Sequence, residues 1–222
     1  MGFFTLLKSL DELLYEVMSW LIFFPVTLWR SLTRPLQMMN YADIELGDRP
    51  DQQYTDTLTP PLFLLLSLIL SYGIELATVG QSPIVASKVG LDAVVGDDTN
   101  LLVLRLAMFS VFPLIMAARL VRQQKQRLDR DTLRPPFYSQ CYVAAPFALV
   151  LGIAGILLTL KPLWYGVSGL VLGAIALLWY GTLQTRWFAK HLGVSLLRGW
   201  WEANIAMIES LVLVVLVAAL FS

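Results

Sequence analysis

Charge is scarce in this sequence: Asp, Glu, Lys and Arg make up 14% of its 222 residues while 57% are hydrophobic. That ratio leaves too little polar surface for a water-soluble domain of this length. Cysteine and histidine are nearly missing. Cys141 alone excludes an internal disulfide, and with His191 as the one histidine there is no Cys/His zinc cluster or Cys-x-x-Cys redox pair. No Gly-rich phosphate loop, G-x-S-x-G elbow or H-E-x-x-H motif occurs. Lys plus Arg equals Asp plus Glu, so no net field favours nucleic acid. The leading "MGFFTLLKSLDELLYE" lacks a cleavage site of small residues, and Leu6 stands where a myristoylation signal wants Ser or Thr. The expectation is no catalytic residue, metal, cofactor or nucleic-acid partner.

What the sequence does have is long apolar runs. Crossing a hydrocarbon layer ~30 Å thick takes roughly 20 apolar residues. Five segments meet or approach that: Pro61 to Val79, Leu101 to Ala118, Tyr138 to Leu160, Leu163 to Leu183, and Ala203 to Phe221. The expected fold is therefore all-α, with residues 1–59 a cytoplasmic or interfacial N-terminal region and 60–222 a domain of five transmembrane helices. With a cytoplasmic N-terminus, thirteen of the sixteen Lys and Arg fall inside and only Lys88 and Lys161 outside, as positive-inside bias requires. The C-terminus is then outside. A sixth crossing at Val17 to Trp29 has thirteen uncharged residues, about 20 Å of helix, and is expected to lie in the interface instead.

One short motif is spelled twice. "DTLTPPLF" runs from Asp56 to Phe63 and "DTLRPPFY" from Asp131 to Tyr138, each leading into an apolar segment. The residue before a proline is driven out of the α region, so helices are expected to start at Pro61 and Pro136, with Thr59–Pro60 and Arg134–Pro135 extended. Asp56 and Asp131 would accept hydrogen bonds from the chain just ahead of each start. The doubling reads either as a duplicated two-helix unit or as one physical need met twice.

The motif at Asp56 to Phe63, together with the layout of spans from Pro61 to Ser222, resembles the Yip (Ypt-interacting protein) domain family. That family usually carries Gly before the proline, where this chain has Thr59 and Pro60. The resemblance implies a five-helix membrane protein. Eukaryotic members are implicated in trafficking with small GTPases, and bacterial relatives are sometimes called permeases. Without a long Ser/Gly/Pro-rich tail ahead of the spans, the chain reads as a bacterial protein of the cytoplasmic (inner) membrane.

Several groups stand out. Apolar residues from Phe3 to Leu21 recur at helical spacing opposite Lys8, Asp11, Glu12 and Glu16, which suits a helix lying in the interface or one that pairs with a second copy. The stretch from Asn40 to Asp56 reads as a solvated linker. Glu75 and Arg105 lie at similar depth in neighbouring spans and are expected to form a structural ion pair. Glu209, in the inner half of the last span, reads as an ion or proton site unless Arg119, Lys190 or Arg198 reaches it. Arg122, Lys125, Arg127 and Arg130 belong to a basic run that either binds anionic headgroups or anchors the cytoplasmic face. Gly169 and Gly173, with Ala148, Gly152 and Gly155, form small-residue steps that join helices within one chain or between chains. The expected function is a self-associating, non-enzymatic membrane scaffold or organiser whose partners are lipids and further copies. The alternative is a small permease or channel for an ion or small solute.

Overall fold

The computed structural model describes the backbone of residues 3–50, 52–80 and 98–220, and the side chains of 11–50, 52–80, 109–213, 215 and 216. Among the described residues there is no strand, and seven helices follow one another. They are α1 (Phe3–Thr33), α2 (Pro35–Glu45), α3 (Pro60–Val79), α4 (Asp98–Gln123), α5 (Arg130–Thr159), α6 (Leu163–Leu192) and α7 (Leu196–Leu220).

Among the described residues four segments are long and apolar enough to cross a membrane: Asp11–Thr33 of α1, and all of α3, α5 and α6. Of the last three, α3 and α6 contain the expected first and fourth spans, and α5 contains the third up to Thr159. Asp11–Thr33 instead takes in Val17 to Trp29, the stretch expected at the interface. The expected second span runs within α4, and the fifth follows α7 as far as Leu220, its last residue Phe221 lying outside the described residues, as does part of the side chains of both helices.

The central element is α5, which packs against α2, α3, α4 and α6. Every residue from Ser139 to Leu149 is buried, so this stretch has no outward face. Cys141, Tyr142, Ala144, Ala145 and Ala148 meet Phe63, Leu64 and Leu68 of α3 and Met38 and Ala42 of α2. Val143 and Phe147 face the other way, towards Met116 and Leu120 of α4, Tyr180 and Trp187 of α6, and Ala203 and Ala206 of α7. Phe147 stacks on Tyr180 with ring centroids 4.3 Å apart.

The two copies of the repeated motif differ in structure. Thr59 is extended, with ψ at 141°, and α3 starts at Pro60, one residue before the expected Pro61. The second copy corrects the expectation. α5 starts at Arg130, so Asp131, Pro135 and Pro136 lie inside the helix and not at its start. A stronger start signal upstream decides this. Asp129 accepts from the backbone N–H of Asp131 at 3.1 Å and of Thr132 at 2.9 Å, while its own N–H donates to Thr132 Oγ1 at 3.1 Å. That reciprocal cap satisfies donors that would otherwise be orphaned. The prolines then remove only the hydrogen bonds to the carbonyls of Asp131 and Thr132, at a water-facing helix end.

Residues 40–56 are not a solvated linker either. α2 continues to Glu45, Ala42 and Tyr54 are buried, and Tyr54 donates its N–H to the Glu45 carboxylate and its hydroxyl to the Ala42 carbonyl at 3.1 Å. Met38, Ala42, Tyr54 and Leu58 share one core with α3 and α5, so α2 and the segment after it are built into the bundle, whereas Leu13, Tyr15, Met18, Leu21 and Ile22 of α1 are exposed.

The glycine steps operate within the chain. A Cβ on Gly169 would lie 2.7 Å from the Ala154 carbonyl oxygen of α5, and one on Gly199 would lie 2.6 Å from the Thr185 carbonyl oxygen of α6. A Cβ on Gly152 would run into the Ser71 side chain of α3, whereas nothing lies within 4 Å of a Cβ on Gly155. Gly169→Ala and Gly199→Ala are each expected to destabilise by roughly 1–3 kcal/mol through overpacking, and Gly155→Ala by far less. Thermal unfolding in detergent checks this; equal losses at all three positions would contradict the interhelical role.

Candidate functional site

The first motif copy is the hub of a polar network. Arg30, near the end of α1, donates from Nη1 to Asp56 Oδ2 at 2.6 Å, and Tyr41 of α2 donates its hydroxyl to Asp56 Oδ1 at 2.6 Å. Thr57 Oγ1 lies 3.3 Å from the Tyr41 hydroxyl and 3.2 Å from that of Tyr142 on α5. Tyr142 in turn donates to the Leu58 carbonyl at 2.8 Å, and the Leu58 N–H donates to Thr27 Oγ1 of α1 at 3.1 Å. The side-chain hydrogen bonds that Asp56 accepts come from α1 and α2. Asp56 cross-links α1 and α2 ahead of α3. Partial burial pushes the Asp56 carboxyl up, but the hydrogen bonds from Tyr41 and Arg30 and the guanidinium charge outweigh it, leaving the group below its ordinary range.

A second assembly joins α4 to α7. Arg119 donates from Nε to Glu202 Oε2 at 2.9 Å and from Nη1 to Glu209 Oε1 at 2.7 Å; Nη2 lies 2.7 Å from Glu202 Oε2. Gln123 adds a donor to Glu202 Oε2 at 3.0 Å. Glu209 is thus paired, through one of the three cations considered for it. Glu202 was not anticipated, although its spacing of seven residues from Glu209 puts both on one helix face. Glu209 also lines an open groove of about 550 Å³ with Arg122, Ile205 and Leu213.

Two smaller sites complete the picture. Gln140 and Gln184, both buried, exchange amide hydrogen bonds at 2.9 and 2.6 Å between α5 and α6. Ser139 Oγ lies 2.8 Å from both the Met39 carbonyl and Asp43 Oδ1. Asp43, Gln124, Gln126, Trp187 and His191 border a cavity of about 240 Å³. Burial pushes the Asp43 carboxyl above its ordinary range, against the opposing pull of the Ser139 hydrogen bond and of His191 and Lys190. His191 Nδ1 is 2.9 Å from the Trp187 carbonyl. Cys141 is fully buried in the core and is not among the residues bordering that cavity.

The remaining expected residues separate. Arg122 borders the α4–α7 groove, whereas Arg130 borders a different one beside α5. Lys125, with φ at 58°, and Arg127 are exposed in the turn between them. The basic run is therefore not one patch. The Glu75–Arg105 pair falls outside the described residues, because the Arg105 side chain does. Among the described residues no group of three or more His, Cys, Asp or Glu is placed to hold a metal ion.

Comparison with known families, with curated proteins and with solved structures returns no match to this chain.

Removing Arg119 leaves two carboxylates uncompensated where there had been one clamp. Arg119→Gln is expected to cost roughly 3–5 kcal/mol, with Glu202→Gln costlier than Glu209→Gln because Glu202 is the more buried. Unfolding in detergent that is indifferent to Arg119→Gln would remove the clamp.

The two perturbed carboxylates act on stability with opposite sign. Asp56 has its folded pKa below the unfolded value, so its contribution is present at neutral pH and lost as pH falls through the folded value. Asp43 has its folded pKa above the unfolded value, so its contribution is present in acid and lost as pH rises through the folded value. In melting-temperature profiles across the carboxylate range, Asp56→Asn should flatten the acid-side fall. Asp43→Asn should flatten the opposing rise.

Proposed function

We propose that this chain is a non-enzymatic, self-associating membrane scaffold or organiser with a Yip-like layout, residing in a bacterial cytoplasmic membrane. The supporting observation is the use made of the polar groups between its helices. Arg119 clamps two carboxylates, Gln140 and Gln184 satisfy each other, and the Asp56 network is consumed in joining α1, α2 and α5. In each case the polar atoms hold helices together instead of converging on one open chamber. In a bilayer such pairing is the low-cost solution. Large apolar side chains on α6 and α7 are exposed, among them Leu163, Leu170, Leu178, Leu211 and Leu216, and suit contact with lipid or a second copy.

In this reading α3 to α7 provide five crossings, and α1 lies at the cytoplasmic interface. The thirteen uncharged residues between Glu16 and Arg30 span only about 20 Å. One observation favours a sixth crossing by α1. Arg30 meets Asp56, Thr27 meets Leu58 and Phe24 meets Phe63 at 5.5 Å between ring centroids, so α1 followed backwards advances along the start of α3. Single-cysteine labelling on a Cys141→Ala background separates the two. The interface reading expects positions 11 and 125 on one side and 222 on the other, and a sixth crossing moves position 11 across.

A permease reading rests on the groove that Glu209 shares with Arg122. Purified protein in liposomes is expected to drive no ion or solute flux and to cross-link to discrete multiples of itself. Substrate-dependent flux abolished by Glu209→Gln would replace the scaffold with a transporter.

A further inference from the structure

The second copy of the repeated motif, displaced from the role of helix start, borders an open groove of about 570 Å³ between α4 and α5. Its rim carries Arg130, Asp131 and Arg134, and its apolar wall is formed by Leu114, Leu133 and Phe137. All three charged side chains are exposed, and none makes an ion pair or side-chain hydrogen bond among the described residues. Arg134 is held by the face of Tyr138, with the guanidinium carbon 5.2 Å from the ring centroid.

Two features call for a partner here. Arg130 and Arg134 stand in the opening turns of a 30-residue helix, where the macrodipole adds positive charge that the Asp129 cap and Asp131 offset only in part. The helix is about 45 Å long against a hydrocarbon layer of ~30 Å, so with Thr159 at the far surface its first ten or so residues reach headgroup depth.

We propose that this groove binds a phospholipid whose headgroup carries a phosphate and a primary ammonium, that is, a phosphatidylethanolamine-type lipid. The phosphate sits between Arg130 and Arg134, spaced four residues apart and so on one helix face. The ammonium reaches the Asp131 carboxylate, and an acyl chain lies along Leu114, Leu133 and Phe137. Asp131 sets the specificity. A wholly anionic headgroup gains nothing from that carboxylate, and a quaternary ammonium has no N–H to donate to it.

The inference rests on the membrane placement of α5 and not on the choice between scaffold and permease. Its test is native mass spectrometry of the protein released from nanodiscs of equal parts phosphatidylethanolamine, phosphatidylcholine and phosphatidylglycerol, counting the lipid retained. The expected result is ethanolamine lipid retained over choline lipid by about fivefold, the effect of one near-surface charge contact. Asp131→Asn should bring that ratio to parity, Asp131→Glu should keep it, and Arg130→Gln with Arg134→Gln should lower retention of all three lipids. Because Asp129 supplies the helix cap, loss of fold does not stand in for loss of binding at Asp131. Equal retention of ethanolamine and choline lipids by the unaltered protein, or a preference that survives Asp131→Asn, would overturn the assignment. Failure to enter nanodiscs of any composition would instead overturn the membrane placement beneath it.

Discussion

A polar group inside a hydrocarbon layer has no water to turn to, so one carried into the bundle is costly unless it meets a partner from the same protein. This constraint accounts for much of what α5 and its neighbours do. Gln140 and Gln184 face each other because either amide alone would leave donors and acceptors open. Arg119 takes two carboxylates because its guanidinium presents donors in more than one direction. Tyr142, buried on the central helix, reaches the backbone of Leu58 and so ties the loop before α3 to the core. These links are long in sequence and short in space, and together they set which helices can be neighbours.

Small residues set how closely those helices approach. Lipid tails are as apolar as the side chains they would replace, so helix association in a membrane depends on contact and on polar pairing more than on expulsion from water. Gly152, Gly169 and Gly199 sit where a methyl group would meet a neighbouring helix. The alanines of α5 work with them: Ala144, Ala145 and Ala148 let α3 and α2 come close enough for the hydroxyl network at Thr57 to form. Close approach and polar pairing are thus one device seen at two depths.

The repeated motif shows how far local sequence carries meaning. Both copies hold Asp-Thr-Leu-x-Pro-Pro, yet one is an extended lead into a helix and the other lies inside one. The difference comes from outside the motif. Asp129 and Thr132 form a reciprocal cap that starts α5 early, whereas Asp56 is held by Arg30 and Tyr41 and takes no part in a helix start. A proline biases its predecessor by a modest local energy, and a completed cap outweighs that bias. Freed from the start of the helix, Asp131 is left on an exposed face between two arginines.

The helical class and the apolar segments at Pro61 to Val79, Tyr138 to Leu160 and Leu163 to Leu183 were legible in the sequence, because bilayer thickness acts on composition locally and leaves an uninterrupted run. The candidacy of Asp11–Thr33 was visible as an apolar run but not resolved by it, since charges bracket a stretch of intermediate length. Arg119 was among the cations considered for Glu209, but Glu202, Tyr41 and Tyr142 were not anticipated as partners. Arg119 and Glu202 are 83 positions apart and Thr57 and Tyr142 are 85 apart, and even Tyr41 and Asp56, 15 apart, lie on separate elements, so no spacing rule within one helix joins them. Composition fixed that the chain is helical and apolar enough for a membrane. Only tertiary structure decided which polar side chains meet, because the partner of a buried group is chosen by the helix that happens to pack beside it.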